Sequence, residues 1–207
     1  MRIIGGALRG RRLVAPPGEA TRPTADRVRQ ALFDMLAHAG WAQSGAEDAV
    51  AGARVLDAFA GTGALGLEAF SRGAAEVVFF ETDPRARRAL AANIAACGLG
   101  ERARVVAADA TRPPSGTACS LVLLDPPYAE AGIAGRAVAA LGATGWIAPE
   151  ALIVLEAGAK TDPPEIGTLL AERRHGAARL LFFRAEPSTS GRSQVSRPIS
   201  GRKEQTR

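Results

Sequence analysis

Arg54-Val-Leu-Asp57-Ala-Phe-Ala-Gly61-Thr-Gly63-Ala-Leu-Gly66 is the stretch whose reading decides the fold. A short apolar run, Val55-Leu56, meets a carboxylate, then a glycine-rich bend, then an apolar pattern through Leu67, Ala69 and Phe70. That order predicts a buried strand, a tight turn and the start of a helix. Glycine at 61 and 63 lets backbone approach a ligand that a side chain would hold off. The free N–H groups at the start of the helix suit a polar or anionic ligand group. A small, nucleotide-like molecule is expected here.

Two ligand classes fit the bend. Gly61-x-Gly63-x-x-Gly66 has the dinucleotide spacing, and Glu81 stands about twenty residues on, where that pattern wants a ribose-binding acid. In the dinucleotide pattern, however, the glycines follow directly on the apolar strand. Here Asp57-Ala-Phe59-Ala60 intervenes and puts a carboxylate at the strand end, where it would repel a pyrophosphate. A carboxylate suits a cationic or amine-bearing ligand. An aminoacyl nucleoside is therefore expected rather than NAD.

Outward from this stretch the chain alternates strand and helix. Glu76–Phe80 reads as a second buried strand ending at Glu81, and Arg104–Ala108 as a third ending at Asp109. Ser120–Leu124 reads as a fourth ending at Asp125, and Ala151–Leu155 as a fifth ending at Glu156. Pro84 opens the helix after the second strand at its favoured first position, with Ala86, Ala89, Leu90, Ile94 and Cys97 as its apolar stripe. Upstream, Thr24 reads as the N-cap of a helix whose apolar face is Val28, Leu32, Met35, Leu36 and Ala39. Residues 169–184 read as two antiparallel strands joined near Gly176, completing the sheet edge. The alternation predicts an α/β fold: a doubly wound, mostly parallel sheet with an antiparallel edge strand. Ligands in such sheets bind beyond the carboxyl ends of the strands. Asp57, Glu81, Asp109 and Asp125 are thus expected to share one site, while Glu156 reads as a cap or salt bridge.

At 207 residues the chain has room for one α/β domain with short extensions. No apolar run approaches the ~20 residues that span a bilayer, and the opening residues lack a signal-peptide core. No membrane association is expected, and a cytoplasmic location is. Cys97 and Cys119 have neither disulfide-framework nor metal-site spacing, so no metal is expected. The net charge of +5 is unevenly spread. Residues 1–30 hold seven arginines against Glu19 and Asp26, a net +5, and residues 187–207 reach +4, leaving −4 between them. An acidic body with two basic ends suits a polyanionic partner. In residues 1–14, Ile3-Ile4 and Leu13-Val14 flank Gly5-Gly6 and Gly10, which predicts a small β-hairpin faced with arginine. Pro16-Pro17-Gly18 then forces a turn or extended link. From Pro187 onward serine, arginine, glycine and proline dominate, and disorder is expected.

Asp125-Pro126-Pro127-Tyr128 is the second strong signal. Two prolines fix an extended backbone and donate no hydrogen bond, leaving the segment's carbonyls as acceptors. A carboxylate, a proline carbonyl and an aromatic face can together hold a planar amine. No lysine or arginine accompanies them, which argues against phosphate clamping. His175 falls at the expected turn without a plausible partner and His38 near the end of a helix, so neither is expected to be catalytic.

With both motifs in hand the chain resembles the class I S-adenosylmethionine-dependent methyltransferases that act on amino groups. More narrowly, it resembles the bacterial family that methylates a guanine N2 of 16S ribosomal RNA, position 966 in that family. The resemblance covers about residues 1–184. It is carried by Met1-Arg-Ile-Ile-Gly-Gly6 with Arg9-Gly-Arg11, and by Arg22-Pro-Thr24-x-Asp26-Arg27-Val-Arg29 leading to Leu32-Phe33. It continues through Asp57-Ala-Phe-Ala-Gly-Thr-Gly-Ala-Leu-Gly-Leu-Glu68-Ala, Asp125-Pro-Pro-Tyr128 and Arg173-Arg-His-Gly176.

The resemblance implies S-adenosylmethionine as cofactor, with Phe59, Ala60, Gly61, Thr62 and Gly63 approaching it and Asp57 near its methionine amine. It implies Glu81 on the ribose hydroxyls and Asp109 with Ala110 at the adenine. Asp125, Pro126, Pro127 and Tyr128 would take the target base, which must leave its stack to be reached. Arg2, Arg9, Arg11, Arg12, Arg22 and Arg27 would meet RNA, either 16S rRNA or a small-subunit assembly particle, and a monomer is expected. The boundaries implied are a basic arm over residues 1–20, a methyltransferase domain over 21–186 and a basic tail over 187–207. Three alternatives stay open: a DNA adenine N6 methyltransferase, a protein glutamine N5 methyltransferase, and a ribosome-assembly factor that does not turn over.

Overall fold

The computed structural model describes residues 1–15, 23–41, 48–127, 130, 132–159 and 162–186, with backbone alone for residues 23–25. Among these residues four α-helices and seven strands follow in the order α1 (Pro23–His38), β1 (Arg54–Asp57), α2 (Ala64–Ser71), β2 (Glu76–Phe80), α3 (Pro84–Cys97), β3 (Ala103–Val106), β4 (Cys119–Leu124), α4 (Ile133–Ala143), β5 (Ile147–Gly158), β6 (Thr168–His175) and β7 (Ala178–Arg184). The strands make one sheet in the order β3-β2-β1-β4-β5-β7-β6. Pairs from β3 across to β5 are parallel, and β7 runs antiparallel between β5 and β6. This is the doubly wound sheet expected, with its antiparallel strands at one edge. The strand order reverses between β1 and β4, which opens a crevice beyond their carboxyl ends.

Successive side chains of a strand point to opposite faces, and the core divides accordingly. Val55, Val77, Phe79, Leu121, Leu123, Val154 and Phe182 pack with α1, α2 and α3, while Leu56, Val78, Phe80, Val122, Leu124, Ile153 and Leu155 pack with α4 and Trp146. Burial on both faces explains why the parallel strands read as continuous apolar runs rather than as alternation. Among the described residues, no helix is long and apolar enough to cross a membrane.

Three elements depart from the sequence reading. No element was expected at 129–150, yet α4 forms there, burying Ile133, Ala134, Ala137 and Leu141 on one face. Its signal is weak because Gly135 and Gly142 lower helix propensity and most other residues are alanine. β5 is twelve residues long, so Glu156 lies within it and does not end it. The arm of residues 1–14 folds back antiparallel, but through a single bridge, Arg2 to Arg12, with Ile3 N–H donating to the Arg11 carbonyl at 2.9 Å. Thr24 falls inside the first turn of α1, its side chain outside the described residues, as do Pro16-Pro17-Gly18 and the tail from Pro187.

What shapes the arm is its seat on α2 and α3. Glu68, on α2, is 0% exposed, and its carboxylate accepts from Ile4 N–H and Gly5 N–H, both at 2.8 Å. Arg72 Nε lies 2.8 Å from Glu68 Oε1 and Arg29 Nε 3.7 Å from Oε2, so the buried charge is paired. Ser71 Oγ accepts from Leu8 N–H and donates to the Gly5 carbonyl. Gly6, at φ +72°, lies so close to α2 that a Cβ would stand 1.9 Å from the Ser71 carbonyl oxygen. Only glycine fits there.

Candidate functional site

The glycine bend folds as the spacing predicts. β1 ends at Asp57, residues 58–63 turn over the carboxyl end of the sheet, and α2 starts at Ala64. Ala58 N–H donates to the Leu123 carbonyl and Ala60 N–H to the Phe80 carbonyl, which ties the bend to the strands on either side. The three glycines have different work. Gly61, at φ +52°, has nothing within 4 Å of where a Cβ would be, and it borders a cavity. A Cβ at Gly63, at φ +83°, would stand 2.4 Å from Leu90 Cδ1, and one at Gly66 2.4 Å from Phe79 Cε1. Gly63 and Gly66 let α2 pack onto β2 and α3. Gly61 faces the space where a ligand would lie.

That cavity, of about 580 Å³, opens at the carboxyl ends of β1, β2, β3 and β4. Its walls are residues 57–62, 80–82, 108–110 and 125–127, with Met1, Ala64 and Leu65. Asp57, Phe59, Ala60, Gly61, Thr62, Glu81, Asp109, Ala110, Asp125, Pro126 and Pro127 are thus brought together as expected. Gly63 is not among the lining residues, because its place is under α2. Tyr128 lies outside the described residues.

The carboxylates of the cavity differ in state. Asp57 is 1% exposed; Oδ2 accepts from Gly66 N–H at 2.9 Å, while Oδ1 is buried without a hydrogen-bond partner. Burial pushes its carboxyl up to about 7 against the Gly66 bond, with Glu81 adding repulsion. An orphaned acceptor of this kind costs free energy until a donor arrives. A donor such as an amine would meet that need. Glu81 holds the bend itself: Oε2 accepts from Gly61 N–H and Oε1 from Asp83 N–H, both at 2.7 Å. Each oxygen keeps a further lone pair for a ligand hydroxyl. Asp109 accepts from the Thr111 N–H and hydroxyl, which hold its carboxyl below the ordinary range. Asp125 follows β4 at the cavity mouth, open to water yet walled by protein. Partial desolvation in that cleft, then repulsion from Glu156 and Asp57, raises its carboxyl above the ordinary range. The cavity thus has a floor of three strand-end carboxylates beside the glycine bend, and a carboxylate-proline lip.

Of the arginines expected to meet RNA, Arg2, Arg9, Arg11 and Arg12 are exposed on the arm and Arg27 on α1. Arg11 also donates to the Ala96 carbonyl at the end of α3. Arg22 lies outside the described residues. Asn93, Glu68, Ser71 and Arg29 were given no role by the sequence. Asn93, buried on α3, accepts from Val14 N–H and donates to the carbonyls of Val14 and Thr62, at 2.8, 3.0 and 2.9 Å. One side chain thus joins the arm to the glycine bend. A single asparagine in an alanine-rich helix gives no sequence signal for this.

Sheet order, switch-point cavity and the two strand-end motifs together define a class I methyltransferase. The chain belongs to the family described as Conserved hypothetical protein 95, whose family model matches residues 1–184. Ribosomal RNA small subunit methyltransferase D of Escherichia coli K12 is 37% identical over 186 residues, 89% of this chain and 88% of that protein. The protein of the same name from Haemophilus influenzae is 35% identical over 184 residues, 85% of this chain and 89% of that one. Among solved structures, yhhF of Escherichia coli superposes with a TM-score of 0.76 at 36% identity, covering 91% of this chain and 99% of that one. The rRNA methyltransferase aviRa of Streptomyces viridochromogenes, at 17% identity and a TM-score of 0.61, shares the fold.

Proposed function

We propose that this protein transfers a methyl group from S-adenosylmethionine to the exocyclic N2 of a guanine in 16S ribosomal RNA. The observation that carries the reading is the pairing, in one cavity, of an orphaned buried carboxylate oxygen at Asp57 with the Asp125-Pro126-Pro127 lip. The relatives named for ribosomal RNA small subunit methylation support the choice of RNA. In this reading Asp57 takes the cofactor's amine, Glu81 its ribose, and Asp109 with Ala110 its adenine. When bound, the cofactor supplies a methyl group already activated on a sulfonium.

The chain's own part is then positional. Glu81 fixes the bend through Gly61 N–H, so the ribose site is formed before the ligand arrives. Pro126 is buried and rigid, and its carbonyl with the Asp125 carboxylate accepts the two N–H groups of the target amine. Holding the nitrogen in line with methyl and sulfur supplies most of the acceleration. The test is single-turnover methyl transfer to 16S rRNA, with digestion to nucleosides. N2-methylguanosine is the expected product. N6-methyladenosine would move the lip to another base, and methylated protein would overturn the RNA assignment.

A further inference from the structure

The register of β4 on β5 pairs Leu124 with Leu155, so the next residues, Asp125 and Glu156, stand side by side on strands about 4.8 Å apart. Leu124 and Leu155 both pack on the α4 face. By alternation Asp125 and Glu156 turn to the opposite face, the one that carries Leu123 and Val154. Asp57 follows Val55 onto that same face. Three carboxylates from three adjacent strands therefore converge, and the charged groups acting on Asp125 are Glu156 on β5 and Asp57 on β1. Glu156 is half-buried and does not line the cavity, so it stands behind Asp125 as seen from the cofactor site. The unpartnered Oδ1 of Asp57 marks this same cavity as built for a ligand.

Resting on the reading of methyl transfer to an amine, we propose that Glu156 is a positioning residue that acts through Asp125, strengthening it as acceptor of the proton the target amine must lose. As the amine's lone pair forms the new N–C bond, the C–S bond breaks and its electron pair stays on sulfur. The sulfonium thereby becomes a neutral thioether. One N–H proton of the amine passes to the Asp125 carboxylate. Asp125 is open to water at the cavity mouth, so the proton then leaves to solvent. A carboxylate beside another carboxylate holds a proton more firmly, and a firmer base takes it earlier along the reaction.

The test is the pH profile of single-turnover methyl transfer to 16S rRNA, for wild type, Glu156→Gln and Glu156→Asp. Asp125 accepts a proton only when ionised, so the wild-type rate should rise with pH to a plateau. Glu156→Gln removes the neighbouring charge. Asp125 then ionises more readily, and the rising limb should move to lower pH by on the order of one unit. The plateau should fall roughly tenfold, because the acceptor is weaker. Glu156→Asp keeps a charge and should recover most of both. S-adenosylmethionine affinity should stay within a few fold throughout. A Glu156→Gln profile that overlies wild type overturns the proposal while leaving the methyltransferase reading intact. So does an Asp variant as shifted as the Gln variant. A wild-type protein that transfers no methyl to RNA at any pH overturns both.

Discussion

At Asp57 the protein holds a group in a state that an isolated chain would not choose. Its folded carboxyl titrates at about 7, whereas an unfolded aspartate titrates near ~4. The folded protein therefore keeps a proton that the unfolded chain releases. This group's contribution to folding is fully present below about pH 4 and is lost as pH rises to 7. A cationic amine opposite Oδ1 reverses that sign. The rise in Tm produced by S-adenosylmethionine should accordingly grow between about pH 5.5 and 8 in a thermal-shift assay, and a constant rise would separate Asp57 from the ligand. Asp57→Asn should raise the unliganded Tm at pH 8 and weaken cofactor binding by about 1–3 kcal/mol, read by calorimetry. Asp57 and Asp125 are legible in the sequence because each ends an apolar run beside a local motif. Glu68 and Asn93 are not. Their partners, Ile4, Gly5 and Val14, lie 63 to 79 residues away, and nothing local marks a carboxylate or an amide as buried.

At the scale of elements, the tight seams are where substitution tells most. Gly63→Ala would add a Cβ at positive φ against Leu90. Strained backbone and overpacking each cost about 1–3 kcal/mol, so this variant should lose several degrees of Tm; Gly66→Ala, which meets Phe79 and Val77 without positive φ, should lose less. Gly61→Ala, which meets no protein atom, should instead spare much of the packing and weaken S-adenosylmethionine binding. The glycine spacing announces the bend but treats its members alike; only packing separates a ligand-facing glycine from a helix-seating one. The arm gives the complementary case. Its antiparallel return is legible from Gly5-Gly6 and Gly10, yet its anchors to α2 and α3 are not. Reversing Arg9 and Arg12 to glutamate should weaken RNA binding and lower the salt slope by roughly 0.7–0.9 for each phosphate no longer neutralised, leaving cofactor affinity unchanged. Arg11 is left out because it holds the arm to α3. Filter binding across a salt series decides: an unaltered slope would make the arm a cover for α2 and α3 alone.

Across the whole molecule, the alternation of apolar runs with helical stripes was enough to give the doubly wound sheet, since burial on both faces writes itself into composition. The order of the strands was not written there. β7 enters between β5 and β6, and no local signal says which neighbour the last strand takes. The same long reach governs when the parts of this protein can come together. The arm's binding partners are Glu68, Ser71, Asn93 and Ala96, so during synthesis the residues of the arm wait for 63 to 85 more before the whole seat exists. The arm thus settles only after α3 has formed, ahead of β4 to β7, which follow it in the chain. Until α3 is complete that arginine-rich segment lacks its seat; Asn93 then ties it, through Val14, to the carbonyl of Thr62, so one side chain fixes both the arm and the ligand-facing bend.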